Sequence, residues 1–406
     1  MEKIYLGELP ESKIRISDII IALSTSLDLK KRKILSHSLR VAYISLKLAQ
    51  KIKISQKRIN KIVLAALLHD IGFVNTNLNL ESKNIFSLPL DIIKNHCQLG
   101  SNLIENVKCF PEISDIIYTH HNKWSGNNFN NINGKNIPLG GRIIHIADRL
   151  EVSIDKNKYI LSQKNEILKK FKFYSASLFD PNLIDILIDL GEKEYFWLDL
   201  ETGKSIDILE HWGKTTNKVV SINDLEQIAS VFAEIIDMKS PFTSSHSAGV
   251  ATIASMISHE IGYSKKEQQV LRISGLLHDL GKQIIPSSIL EKKGKLTNYE
   301  IEVIAQHSYY TYYLLDQVRG LGSIPNWAAY HHERLDGSGY PFHLNAKNLS
   351  QGSRIIAISD MFQALTEERP YRKALSIEEA LNILKELGNK NKLDINIINF
   401  LKSIML

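Results

Sequence analysis

Seven residues with metal-binding side chains occur twice in this chain, in the same order: His37, His69-Asp70, His96, His120-His121 and Asp148, then His246, His278-Asp279, His307, His331-His332 and Asp360. His37 to His69 and His246 to His278 are both 32 positions, and His96 to His120 and His307 to His331 are both 24. Ten of the 14 histidines fall in these two sets. Imidazole and carboxylate ligands without thiolate suit Fe, Mn or Zn rather than Cu(I). A single buried histidine is usually satisfied by a hydrogen bond. Adjacent His-Asp and His-His pairs in apolar settings, as in AALLHDIG (65–72) and AAYHHE (328–333), need further partners. Metal chemistry is therefore the expectation, at two places in the chain.

The elements that must position these residues are duplicated too. HSLRVAYISLKLA (37–49) answers HSAGVATIASMIS (246–258), AALLHDIG answers SGLLHDLG (274–281), and GGRIIHIADRLEV (140–152) answers GSRIIAISDMFQA (352–364). A period near 209 residues, from His37 to His246, is a duplicated domain rather than a solenoid repeat. We expect an N-terminal repeat over 1–190, an ordered connector over 191–220 with a turn at Thr202-Gly203, and a second repeat over 221–406. Apolar residues recur at three- and four-residue intervals in ISDIIIALSTSLDL (16–29) and LEQIASVFAEIIDM (225–238), with Asp18 and Asn223 as expected N-caps. Alternating strand patterns are scarce. The fold class that follows is all-α: two tandem helical domains that bring ligands inward from several helices.

Composition sets mild bounds. At 406 residues, 44% hydrophobic and 23% charged, the chain reads as a soluble globular protein of two to three domains. No apolar run is long enough to span a membrane, and no signal peptide is visible. Cys97 and Cys109 form neither a metal motif nor a disulfide framework, so a reducing cytoplasm fits. Part of the +6 net charge lies in a lysine-rich stretch, Lys156 to Lys172, read as a solvated helix face. No motif for a nucleic-acid polymer stands out.

The second repeat resembles the HD-GYP phosphodiesterases, a branch of the HD phosphohydrolase superfamily. The resemblance rests on His246-Ser247, on His278-Asp279-Leu280-Gly281-Lys282, and on the run from His331-His332-Glu333 through Asp336-Gly337-Ser338-Gly339-Tyr340-Pro341. Ser359-Asp360 and Arg369-Pro370-Tyr371-Arg372 complete it. It covers about 240–405, and the first repeat resembles a sibling HD domain. The resemblance implies an all-helical, metal-dependent signalling enzyme that hydrolyses cyclic dinucleotides, cyclic di-GMP above all, to the linear dinucleotide or to GMP; some members act on mixed cyclic dinucleotides. Two divalent ions, Fe or Mn with Zn as an alternative, are the implied cofactors. Carried over, His246, His278, Asp279 and Asp360 would hold one ion and His307, His331 and His332 the other, with Asp279 bridging. Two metals about 3.5–4 Å apart clamp a phosphodiester and generate a hydroxide near neutral pH for in-line attack.

Asp279 and Lys282 are the expected catalytic residues. Lys282 would face the site if its segment is helical, being one turn beyond His278. Its ammonium could hold a phosphate oxygen. Arg369 and Arg372 could give forked contacts to phosphate or guanine. Gly339 and Tyr340 belong to a turn-forming DGSGYP segment expected to shape the substrate loop. Family members with a third metal resemble one another in placing a carboxylate four residues before the first histidine. Phe242 stands there, so the site is read as dinuclear.

The first repeat retains all seven ligand types but not the substrate apparatus. Phe73 stands where Lys282 stands, the loop after His121 reads NKWSGNNFNN, and nothing like RPYR follows Asp148. It could act on another phosphate ester, sense a ligand, or serve as a structural partner. For the whole chain, the alternatives to a cyclic dinucleotide phosphodiesterase are an HD phosphohydrolase acting on another nucleotide or phosphate ester, and a non-catalytic cyclic-dinucleotide effector. A homodimer or a signalling partner protein is left open.

Overall fold

The computed structural model describes residues 7–11, 13–28, 37–73, 89–110, 112–216, 218–239, 245–292, 294–368 and 373–406. The fold is all-α. Among the described residues, strand is confined to two dipeptides, Ile14–Arg15 and Val219–Val220. Two compact units form, one over Arg15–Lys218 and one over Val219–Leu406 together with the described residues of 1–14. In the latter, Glu8 N donates to Ser323 Oγ (2.7 Å) and Glu11 N to Gly320 O (2.8 Å). No described helix is long and apolar enough to cross a membrane.

In the first unit the helix His37–Gln50 is buried on nearly every side, from His37 through Ala49 with Lys47 the exception. A helix buried on nearly every side belongs in the middle of a bundle. It packs against Gln56–Leu68, Leu139–Ser153 and Lys204–Thr216. The segment expected as a connector consists of two helices, Glu194–Thr202 and Lys204–Thr216, and belongs to this unit. The expected turn lies between them, where Gly203 takes φ +79°, a conformation that favours glycine. Aromatic burial ties the segment down: Phe196 and Trp197 are fully buried, Tyr43 donates to Asp199 (2.6 Å), and Trp212 donates to Asn60 (3.0 Å). The lysine-rich helix Ile160–Phe173 turns Lys169, Lys170 and Lys172 to solvent, as expected.

In the second unit His246–Glu260 lies against Lys265–Leu277 and Gln351–Thr366. Four helix starts carry reciprocal capping boxes: Ser221 with Asp224, Ser264 with Glu267, Thr297 with Glu300, and Ser376 with Glu379. The two expected N-caps are corrected. Asn223 lies inside the first turn, because helix begins at Ile222 and Ser221 caps it; the Asn223 side chain accepts from Gln269 instead (2.7 Å). Asp18 also lies inside its helix, Ile16–Asp28, and its carboxylate accepts from Arg15 (2.8 and 2.9 Å). The first helix starts at Ile16, two residues before Asp18, and the second at Ile222, three residues before its apolar pattern begins at Leu225.

One glycine in each unit decides where the ligands sit. A Cβ on Gly281 would lie 2.0 Å from His307 O, and one on Gly72 would lie 2.2 Å from His96 O. Only glycine lets the turn after each His-Asp pair close onto the helix bearing the next histidine.

Candidate metal centres

In the second unit the seven candidate ligands come from five elements. His246 opens His246–Glu260, His278 ends Lys265–Leu277, and Asp279 follows it. His307 lies within Asn298–Asp316, His331 and His332 in the 3-10 turn Tyr330–His332, and Asp360 on Gln351–Thr366. The ligand atoms of His246, His278 and Asp360 lie within 4.8 Å of one another, as do those of His307, His331 and His332, and those of His278, Asp279 and His331. Asp279 lies between the groups. Its Oδ2 is 3.1 Å from His278 Nε2 and 3.9 Å from His246 Nε2, while its Oδ1 is 3.4 Å from His307 Nε2 and 4.0 Å from His331 Nε2.

Backbone carbonyls set the tautomers. The Nδ1 atoms of His278, His307 and His331 lie 2.8, 2.6 and 2.7 Å from the carbonyls of Gly275, Ile304 and Ala328. A carbonyl only accepts, so each Nδ1 carries the proton and each Nε2 directs a lone pair inward. His246 is oriented by a carboxylate instead, with Nδ1 3.1 Å from Glu367. Sequence reasoning missed Glu367, which stands just beyond the helix end and seven residues after Asp360. The inward nitrogens fit a cation. His307 Nε2 and His331 Nε2 are 3.1 Å apart with both Nδ1 protons already committed, so two lone pairs face each other. His278 Nε2 is buried and has no hydrogen-bond partner among the described residues.

Electrostatics keep most of these groups in ligating form, with His246, held as a cation between two carboxylates, the exception. Burial pushes the His307 imidazolium down to about 4 and that of His332 to about 3, and holds His331 well below the ordinary range. All three are neutral at pH 7. Burial would also lower His246, but its hydrogen bonds to Asp360 and Glu367 outweigh this and raise it to about 9. Burial disfavours ionised Asp279, yet His278, Lys282 and His307 hold it well below the carboxylate range.

Lys282 reaches the site by a route that differs from the helical one considered above. The chain leaves helix at His278 and enters a 3-10 turn, Leu280–Ile284, which brings Lys282 Nζ to 2.5 Å from Asp279 Oδ2. Buried Lys239 supports that turn by donating to the carbonyls of Lys282 and Gln283, both at 2.7 Å. The DGSGYP loop folds over His332: the Tyr340 ring centroid is 4.8 Å from that of His332. Gly339 lies so close to the chain that a Cβ would meet Glu333 Cα at 2.3 Å. The buried Glu333 carboxylate accepts from Phe342 N and Leu344 N (2.8 and 2.9 Å), pinning the loop's far side. Phe242, Arg369 and Arg372 lie outside the described residues.

The first unit repeats the plan with different surroundings. Asp70, His96, His120 and His121 form one group and His37, His69 and Asp70 another. His69, His96 and His120 again point Nδ1 at carbonyls, of Ala66, Ile92 and Ile117, and His96 Nε2 and His120 Nε2 are 3.2 Å apart. Glu151, on the face of Asp148, lies 2.6 Å from His37 Nδ1. Where Lys282 stands in the second unit, the Phe73 ring packs 5.1 Å from that of His96. Cys97 and Cys109 are both buried, and no disulfide joins them.

Comparison with known proteins follows the same division. Two family models, each described as an HD domain, match residues 34–153 and 230–397. The 3'3'-cGAMP-specific phosphodiesterase 1 of Vibrio cholerae is 30% identical over 403 residues, covering 95% of this chain and 90% of that protein. The chain belongs to the HD-GYP family of HD-domain phosphodiesterases. A crystal structure of a cyclic GMP-AMP specific phosphodiesterase of V. cholerae superposes on this HD-GYP protein with a TM-score of 0.68 at 25% identity, over 96% of this chain and 97% of the other. The cyclic di-GMP phosphodiesterase response regulator RpfG of Xanthomonas campestris is 35% identical over 172 residues, 41% of this chain and 46% of its own. HD-domain phosphodiesterases are metal-dependent, and the inward-facing nitrogens of this HD-GYP protein suit that chemistry.

Proposed function

We propose that the second unit hydrolyses a cyclic dinucleotide and that a mixed one, 3'3'-cGAMP, is its preferred substrate over cyclic di-GMP. The observation carrying the catalytic reading is the position of Asp279, whose two oxygens face two separate imidazole groups. A carboxylate so placed is able to serve two ions at once. The substrate preference rests on the relative matched along nearly the whole chain, which is named for 3'3'-cGAMP; the relative named for cyclic di-GMP is matched over 172 residues.

His246, His278, Asp279 and Asp360 would hold one ion, and His307, His331 and His332 with Asp279 the other. Two divalent ions there supply Lewis-acid activation of a phosphodiester and of the attacking water. The chain's own residues do the rest. Carbonyl-anchored imidazoles keep their lone pairs inward, so little reorganisation is needed on binding. Lys282 sits beside Asp279, where its ammonium would meet a non-bridging phosphate oxygen as charge builds there. Tyr340, against His332 at the edge of the site, is placed to bound the substrate, and Glu333 holds its loop in that position.

The test is incubation of the Mn(II)- or Fe(II)-loaded protein with 3'3'-cGAMP, cyclic di-GMP and cyclic di-AMP, with products resolved by chromatography. Linear dinucleotide should form fastest from 3'3'-cGAMP. Faster turnover of cyclic di-GMP would reverse the preference, and inert protein with full metal content would remove the catalytic reading. Lys282→Met should lower kcat/KM roughly 10- to 150-fold, the range for losing one charge-assisted contact of about 1.5–3 kcal/mol. Most of that loss should appear in kcat, because the contact strengthens as the phosphorane charge develops. A pure KM effect would assign Lys282 to ground-state binding.

A further inference from the structure

The two metal centres differ at one carboxylate. In the second unit Asp360 Oδ1 lies 3.2 Å from His246 Nε2 and 3.7 Å from His278 Nε2, and the residue after it is Met361. In the first unit the residue after Asp148 is Arg149, buried with it. Its guanidinium grips Asp148 Oδ2 through Nε at 3.0 Å and through Nη2. Asp148 is 3% exposed and Arg149 7%, so neither partner is solvated enough to give the other up readily. Among the described residues Asp148 enters neither group of close ligand atoms, whereas Asp360 groups with His246 and His278.

We propose that the first unit takes a single divalent ion, on Asp70, His96, His120 and His121, and that Arg149 replaces the second ion as the positive charge beside Asp148. The chemistry of the donor set favours this division. The four residues form a complete group, and the facing lone pairs of His96 and His120 call for a cation. The remaining group of His37, His69 and Asp70 shares Asp70 with the first. Its natural fourth donor, Asp148, still turns Oδ1 to His37 Nε2 at 3.4 Å, but two N–H groups hold its Oδ2, and a fixed guanidinium charge repels a divalent ion brought to the same carboxylate. A one-ion centre beside Phe73 is suited to holding a fold or sensing a metal, and lacks the paired-ion clamp of phosphodiester hydrolysis.

The readout is metal content of the full chain, so the result does not depend on turnover or on the substrate proposed above. Protein loaded with Mn(II), desalted and analysed for metal per chain is compared with variants, and the second unit's contribution cancels in each difference. Asp70→Ala should lower the count by one ion, and Arg149→Met should raise it by one. Arg149→Lys, which retains the charge, should leave it unchanged. A drop of two ions in Asp70→Ala would overturn the proposal, as would a folded Arg149→Met protein with no gain. Should Arg149→Met fail to fold, His96→Ala, which touches only the proposed site, decides: it should cost one ion, and an unchanged count in the folded variant would overturn the proposal.

Discussion

Asp279→Ala should abolish cyclic dinucleotide turnover, while Asp70→Ala at the matching position of the first unit should leave most of it. Asp279 faces His278 and His246 with one oxygen and His307 and His331 with the other, so its removal strips a shared ligand from both groups. It also removes the carboxylate that Lys282 Nζ meets at 2.5 Å in the intact protein. Loss of one preorganised electrostatic contact costs on the order of 10²–10³ in kcat, and a carboxylate serving two ions should exceed that. Among the described residues no lysine pairs with Asp70, and Phe73 stands at the position of Lys282. Metal analysis and circular dichroism on both variants separate lost chemistry from lost fold. Complete inactivation by Asp70→Ala in a folded protein would move the reaction to the first unit.

Acidification of the chelator-treated protein should lower its stability steeply between pH 6.5 and about 4. Burial holds His307 near 4 and His332 near 3 against an ordinary 6.5, so across that window the unfolded chain binds more protons than the folded one. Stability then rises with pH and is lost as pH falls. For His307 alone the 2.5-unit difference corresponds to about 3 kcal/mol at most. Buried His145 in the first unit, also near 3, acts in the same direction. His246 acts oppositely: raised to about 9, its contribution is full below pH 6.5 and lost as pH climbs through 9. The carboxylates held low, Asp279 among them, act in the same direction from about pH 5 downward, while Asp237, which burial raises to about 6, opposes the loss. Urea titrations of chelated protein at pH 6.5 and 4.5 measure the effect. A flat profile between them would mean that the histidines are protonated or hydrated in the metal-free fold. With metal bound the loss should shift to lower pH, because each ion competes with protons for the same nitrogens.

The duplication, the helical class and the fourteen ligand-type positions were legible because each depends on local pattern. A three- to four-residue apolar period marks helix wherever it occurs, and His-Asp or His-His pairs stand out when they recur at fixed spacing between apolar runs. The capping boxes were legible in principle as well, since Ser221 and Asp224 have the required spacing; attention to the apolar pattern led to Asn223, two positions inside. What tertiary structure alone decided concerns direction and distance between chain segments far apart in sequence. Glu367 and Glu151 both anchor the first histidine of their set, but one lies seven residues past its helix aspartate and the other three, so no shared spacing reveals them. Gly281 and Gly72 look like ordinary turn residues until the close carbonyl of the next ligand helix is seen. Lys282 meets Asp279 through a 3-10 turn rather than a continued helix, and Arg149 looks like any arginine on a helix until its side chain folds back onto the preceding residue. Ligand types follow from local sequence, whereas which carboxylate is free to bind depends on charges that only packing brings within about 3 Å, where Coulomb attraction in a dry interior is strongest.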